Sequence, residues 1–235
     1  GQFLIKSQTL SLDPYMRMLM GGGWTFLGSG MQPGQVMVGR ILGKVAESHN
    51  PDFQPGDLVV GRLGWQTHAV SDGIGLDFKI EPKDGVPLTA YLGACGSNGT
   101  TAWTGLKIIG EPKEGETVLG LGAAGGVVLS AVLLAKAYGC RVVAAVSTEE
   151  KGEVARKHGA DEVVIYPRAP FDKDTSKQLA SDFKAAVGPN GADIVYDIVG
   201  GDYSEPALRA IAWEGRFLVI GFPAGIAKMP LHLTL

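Results

Sequence analysis

Cysteine is scarce in this chain: its 235 residues include two, Cys95 and Cys140, neither with a C-x-x-C neighbour. That spacing excludes a disulfide scaffold and fits free thiols in a reducing cytoplasm. Histidine is thin as well. His49, His68, His158 and His232 stand far apart, whereas a tetrahedral zinc site needs several Cys, His or acidic ligands gathered together, so no metal is expected. Long apolar runs are missing. The most apolar helix candidate is broken by Ser130 and Lys136, short of the roughly twenty apolar residues that cross a bilayer, so no membrane partner is expected. No sign of charge dominates: 21 Lys and Arg face 24 Asp and Glu, for a net charge of −3. Such mixing recommends neither a nucleic acid nor an anionic membrane as partner, and leaves small molecules.

The opening residues, GQFLIKSQTLSLDPY, carry no initiator Met and no basic segment before an apolar core, so no signal peptide is expected. They read as the middle of a strand, and the closing MPLHLTL lacks a terminal helix or cap. Both ends are therefore expected to be truncated relative to a longer enzyme.

Residues 1–93 hold short β-type runs separated by turn signals such as Gln54-Pro55-Gly56-Asp57, the pattern of an all-β barrel. From residue 94 to 235 the pattern changes to alternating strands and helices, which predicts a doubly wound parallel sheet. Strands are expected at 117–121, 141–147, 162–166, 193–197 and 216–221, and helices at 100–109, 126–138, 149–158, 173–187 and 204–211. Six of the fourteen residues from Gly21 to Gly34 are glycine, with Trp24 and Phe26 among them. That loop is either a surface linker or an active-site flap.

The strongest signal lies in Val118 to Gly139: an apolar strand, a glycine-rich turn and an apolar helix closed by glycine. Such a turn aims free backbone N–H groups and the positive end of a helix dipole at open space, a ready site for a dinucleotide pyrophosphate. Gly122 permits the tight turn and Gly125 lets the backbone approach the phosphates, so Gly122, Ala123, Ala124, Gly125, Gly126 and Val127 are placed on the pyrophosphate. A register beginning at Gly120 would start inside the strand and is rejected. Two departures stand out: the last fingerprint position is Val128, and Gly120 occupies a strand position that usually carries a bulky side chain. The two are expected to compensate, with Val128 filling the space that Gly120 leaves.

The end of the second strand chooses the nucleotide, because a carboxylate there accepts both ribose hydroxyls of NAD and repels a 2′-phosphate. Here the position is Ser147, with Lys151 one turn on and Tyr166 ending the next strand, a set that favours NADPH. Two alternatives stand beside this: Ser147 and Glu150 form a capping box, S-x-x-E, or Glu149 or Glu150 binds the ribose of NAD.

With these residues in view, the chain resembles a zinc-free medium-chain dehydrogenase/reductase over nearly its whole length. SLDPYMR at 11–17 is similar to the signature of the double-bond reductase branch, and the turn before Leu58-Val59-Val60 resembles the family's GroES-like barrel. GTTAWTGL resembles the helix that leads into the family's Rossmann domain. GAAGGV, STEEK, HGADEVVIY, DIVYDIVGG and GRFLVIGF are closer to the quinone oxidoreductase branch. The resemblance implies an α/β chain, a GroES-like β-barrel domain followed by a Rossmann-type sheet, with NADPH as cofactor and frequent homodimers. It also places Thr101 on the nicotinamide amide, although a threonine early in a helix can equally be a cap.

Without a metal, reduction rests on a nicotinamide held beside an activated C=C bond or quinone. Tyr15 either hydrogen-bonds the substrate oxygen that gains charge or packs as a core residue. Gly200, Gly221 and Phe222 follow strands at their carboxyl ends, where ligands of such sheets bind, and are expected on the ribose or nicotinamide. The expected function is NADPH-dependent reduction of an enone or enal. A quinone reductase and a non-catalytic nucleotide-binding relative are the alternatives.

Overall fold

The computed structural model describes residues 1–21, 24, 25 and 28–227. Phe26 of the glycine-rich loop and His232 lie outside the described residues. The chain divides into two compact units after Gly96.

The first unit contains β1 (Phe3–Leu10), α1 (Tyr15–Met20), the short pair β2 (Trp24–Thr25) and β3 (Gly28–Ser29), β4 (Ile41–Ser48), β5 (Leu58–Gly61), β6 (His68–Ser71) and β7 (Leu76–Ile80). The strands of the expected barrel form a five-stranded antiparallel sheet in the order β6-β1-β4-β5-β7. Alternate strand residues point to one core, where Phe3, Ile5, Ile41, Val45 and Val59 are buried. The turn before β5 forms as its residues require. Gly56 adopts φ +102°, the Asp57 N–H donates to the Gln54 carbonyl at 3.0 Å, and the Asp57 carboxylate accepts the Gln54 N–H at 2.8 Å.

The second unit contains α2 (Ser97–Trp103), β8 (Thr117–Leu121), α3 (Gly126–Ala137), β9 (Arg141–Val146), α4 (Glu149–Lys157), β10 (Glu162–Ile165), α5 (Lys173–Val187), β11 (Ala192–Asp197), α6 (Ser204–Leu208) and β12 (Ile211–Val219). Its five strands are all parallel, in the order β10-β9-β8-β11-β12. Both faces are covered. Val118, Val142, Ala144, Ile194 and Tyr196 face a core shared with α3, while Leu119, Val143, Ala145 and Val195 face a core shared with α5. This two-sided burial explains why the strands read as continuous apolar runs without alternation.

Two expectations are corrected in detail. The helix expected at 100–109 starts at Ser97 and continues from Thr104 to Gly110 as a π-helix. Its wider winding lays Gly105 against the Tyr196 ring, where a Cβ would come within 2.9 Å of the ring edge and hydroxyl. The Tyr196 hydroxyl donates to the Thr101 carbonyl at 3.2 Å, within the helical turn that precedes the π-helical stretch. The helix expected at 204–211 ends at Leu208, because the Ala192 N–H captures the Ala210 carbonyl at 2.8 Å and draws Ile211 into β12. β12 is interrupted at Glu214 (φ +57°) and Gly215 before it rejoins the sheet at Arg216.

The Gly120–Val128 compensation is present. A Cβ at position 120 would lie 2.9 Å from Val128 Cγ1, and Val128 is 1% exposed, within the core between β8 and α3. Gly120→Val should therefore overpack this contact and cost about 1 to 3 kcal/mol in urea unfolding, and adding Val128→Ala should return part of that loss. A double variant as unstable as the sum of the two single changes would overturn the account.

Candidate active site

Site residues gather at the carboxyl edge of the parallel sheet. β8 ends at Leu121, and Gly122 turns the chain at φ +75°, with its N–H and that of Ala123 donating to the Ala145 carbonyl at 2.9 and 3.1 Å. Gly122, Ala123, Ala124 and Gly125 complete the turn, closed by the Gly125 N–H on the Gly122 carbonyl at 2.9 Å. Gly125 is the N-cap of α3, and no side chain caps it, so Gly126 and Val127 open the helix with N–H groups of the kind that lack intrahelical partners. On its other side Gly122 has no room to spare: a Cβ there would lie 3.1 Å from Val199 Cγ2 and 3.3 Å from Ile198 Cγ2.

The loops after β11 and β12 join this turn. Gly200 sits at φ +73°, and a Cβ there would strike the Gly225 carbonyl at 2.5 Å and Phe222 Cβ at 2.7 Å. The Gly201 N–H donates to the Gly225 carbonyl at 2.7 Å, and a Cβ on Gly221 would lie 3.2 Å from Ile198 Cγ1. Gly122, Gly200, Gly221 and Phe222 therefore belong to one cluster of loops.

At the end of β9, the Lys151 ammonium donates to Ser147 Oγ at 2.8 Å, both side chains being exposed. The capping box that stood as an alternative for Ser147 and Glu150 does not form. Thr148 is the N-cap of α4 and accepts the Lys151 N–H at 3.3 Å, because the helix begins at Glu149, one residue too late for Ser147 to cap it. Ser147 is thus left to the lysine. Of the two carboxylates weighed for a ribose, Glu149 pairs with Arg156 at the surface. Tyr166 follows the Ile165–Val146 register pair, and its N–H donates to the Val146 carbonyl at 2.9 Å, which sets it next to Ser147 across the strands. Its ring is buried, and burial, aided by Tyr203 and Asp197, pushes the phenol up to about 12, so it stays protonated.

Thr101 is the fifth residue of α2, which takes it out of any capping position. Tyr15, in the first unit, opens α1 behind Pro14; the buried residues of that helix are Met16 and Leu19, and Tyr15 itself is half-buried. Burial first, then the charge of Asp13, raises the Tyr15 phenol above its usual range, with Arg40 and Arg62 opposing. Arg40 is itself paired with Asp77 at 2.7 Å.

Three residues escaped the sequence reading. Asp197, 1% exposed at the end of β11, accepts the Val199 and Gly200 N–H groups at 2.8 and 2.9 Å and the Ser204 hydroxyl at 2.5 Å, and so shapes the Gly200 loop. A lone carboxylate ending an apolar strand was the available signal. Asn98 lies over the start of α3, its Nδ2 2.4 Å from where a Cβ on Gly126 would stand, so a side chain at 126 would displace the Asn98 amide. Tyr203 pins the loop after β10 through its hydroxyl. Neither of these two carried a local signal. Among the described residues there is no group of three or more His, Cys, Asp or Glu side chains arranged to hold a metal ion, and no helix is long and apolar enough to cross a membrane.

Comparison with known proteins agrees with this fold. Residues 1–78 match the model of an N-terminal domain of oxidoreductase, and residues 126–235 match that of a zinc-binding dehydrogenase. Prostaglandin reductase 1 of Oryctolagus cuniculus is 38% identical over 94% of this chain, which spans 59% of that protein. NADPH-dependent curcumin reductase of Escherichia coli is 36% identical over 100% of this chain, which spans 67% of it. A crystal structure of CurA from Vibrio vulnificus in complex with NADPH superposes with a TM-score of 0.78 at 33% identity, over 92% of this chain and 61% of that one. With matching models at both ends and a relative of this identity spanned over two thirds of its length, the chain belongs to the zinc-free branch of the medium-chain dehydrogenase/reductase family.

Proposed function

We propose that this chain supplies the nucleotide site and the substrate-facing tyrosine of an NADPH-dependent reductase acting on the C=C bond of α,β-unsaturated ketones or aldehydes. The observation that carries the reading is the pairing of Lys151 with Ser147 at the end of β9, beside a helix N-terminus that no side chain caps. A 2′-phosphorylated dinucleotide fits these residues. The α3 N-terminus and the Gly122–Val127 backbone suit its pyrophosphate, and Ser147, Lys151 and the protonated Tyr166 suit its 2′-phosphate. Thr101, Gly200, Gly221 and Phe222 are assigned to its ribose and nicotinamide end. The relatives named as curcumin and prostaglandin reductases support the substrate class.

When bound, the dinucleotide supplies a hydride to the electrophilic carbon of the conjugated system. The chain's own part is to hold, desolvate and stabilise charge. Tyr15, kept protonated by its burial and by Asp13, donates a hydrogen bond to the substrate oxygen on which negative charge grows. The reading includes a small-molecule partner, a cytoplasmic location consistent with the free thiols Cys95 and Cys140, and the homodimer that the family resemblance implies.

NADPH should bind at least about tenfold more tightly than NADH, a difference of about 1.4 kcal/mol, when both dissociation constants are measured by fluorescence titration. Equal affinities would return Glu149 or Glu150 to the ribose and remove the 2′-phosphate assignment.

Tyr15→Phe should lower enone turnover by more than about tenfold while leaving NADPH affinity unchanged, as expected of a donor needed only by a developing oxyanion. An unaltered rate would make Tyr15 a packing residue. Loss of NADPH absorbance with a quinone and with no enone would assign quinone reduction instead, and tight binding without loss with either would assign a non-catalytic role.

A further inference from the structure

Tyr166 is an unusual hydrogen-bond donor. The residue is 9% exposed and packed into the core with Leu119 and Leu179, yet its hydroxyl makes no hydrogen bond within the described residues. The only side-chain polar atoms among them that are both enclosed and unsatisfied are Ser7 Oγ and Arg216 Nε, so the phenol oxygen reaches the surface while the ring stays inside. A donor mounted this way is only as well aimed as the contacts that hold its ring, because hydrogen bonds weaken steeply with misplacement.

Those contacts converge on Tyr203. The two rings meet edge to face, with centroids 4.7 Å apart at 60°, and Phe171 meets Tyr203 from another side at 4.9 Å and 80°. The Tyr203 hydroxyl both accepts and donates: it accepts the Ala169 N–H at 3.1 Å and donates to the Pro167 carbonyl at 3.2 Å. The neighbouring Asp202 carboxylate accepts the Phe171 N–H at 3.1 Å. The segment directly after Tyr166 is thus tied at three points to the short 3-10 turn Gly201–Tyr203. That turn follows the loop anchored on the buried Asp197, whose carboxylate binds the Gly200 N–H and the Ser204 hydroxyl on either side of it.

We propose that Tyr203 is a positioning residue for nucleotide choice: by clamping the ring of Tyr166 and the 167–171 segment, it aims the Tyr166 hydroxyl beside Ser147 and Lys151 and so strengthens selection of a 2′-phosphorylated dinucleotide. The inference rests on the dinucleotide reading above. It assigns to Tyr203 no contact with the nucleotide; the effect passes through Tyr166.

The test compares dissociation constants for NADPH and NADH in the wild type, Tyr203→Phe, Tyr166→Phe and the double variant, with thermal melts alongside. Tyr203→Phe keeps the ring contact and removes the clamp on Ala169 and Pro167. It should cut the NADPH-over-NADH preference by at least about threefold while NADH affinity stays within about twofold, since only the phosphate sees the aimed hydroxyl. Tyr166→Phe should do the same, and the double variant should lose no more than the larger single loss, as expected of two residues acting as one unit. An unchanged preference in Tyr203→Phe, equal weakening of both nucleotides, or additive losses would overturn the proposal. Should Tyr203→Phe fail to fold, Asp202→Ala, an exposed change that cuts only the Phe171 tie, must lower the preference in the same direction, and no change there would equally overturn it. A wild type that binds NADPH and prefers it, with variants that keep that preference, refutes this inference alone; a wild type without the preference refutes the nucleotide reading beneath it.

Discussion

The carboxyl edge of the parallel sheet is organised by one buried charge. Asp197 is 1% exposed, and no cation pairs with it among the described residues; two backbone N–H groups and one hydroxyl satisfy it. A carboxylate removed from water is tolerated only when such donors replace its hydration, so the donors are held as firmly as the charge is. Val199, Gly200 and Ser204 are therefore fixed in place. Val199 and Ile198 then press on Gly122, Gly200 presses on Phe222, and the Asp197 carbonyl accepts the Ile220 N–H at 2.7 Å. The loops after β8 and β12 therefore meet the loop that the Asp197 carboxylate holds.

Close approach of backbone to side chain is the second constraint. β8 and α3 meet where Val128 fills the space above Gly120, so the helix keeps its aim with a valine where a smaller residue is usual. Asn98 presses on Gly126 at the first turn of the same helix, and Tyr196 presses on Gly105. In each pair one partner has no side chain and the other occupies the vacated volume. The π-helical stretch at 104–110 lies in this same packing, with Tyr196 occupying the space beside Gly105 and its hydroxyl donating to the Thr101 carbonyl.

The first unit shows how environment separates residues that look alike in sequence. Met16, Leu19 and Tyr15 lie within one short helix, yet the first two are buried and Tyr15 stands half-exposed among Asp13, Arg40, Arg62 and Asp77. Burial and the nearer carboxylate outweigh the guanidinium groups, so the phenol holds its proton. A protonated phenol beside paired charges can donate a hydrogen bond without contributing charge of its own.

The sequence alone determined what depends on local pattern. Apolar runs broken by Gly and polar turns placed the five parallel strands, helix 173–187 matches its expected bounds, and the Pro55-Gly56 turn followed from two residues with restricted or permissive backbones. The glycine turn at Gly122–Gly125 was legible for the same reason, as was the Gly120–Val128 exchange, because both lie on adjacent elements of known pitch. Tertiary structure alone decided the rest. Whether Ser147 caps a helix or faces Lys151 turned on a one-residue shift in where α4 begins, and Thr148 took the cap. The end of α6 was set by capture of Ala210 into the sheet, and the roles of Asp197, Asn98 and Tyr203 came from partners met only after folding. Periodicity and turn chemistry are properties of neighbours along the chain, whereas the satisfaction of a buried polar group and the filling of a void depend on residues brought together from far along it.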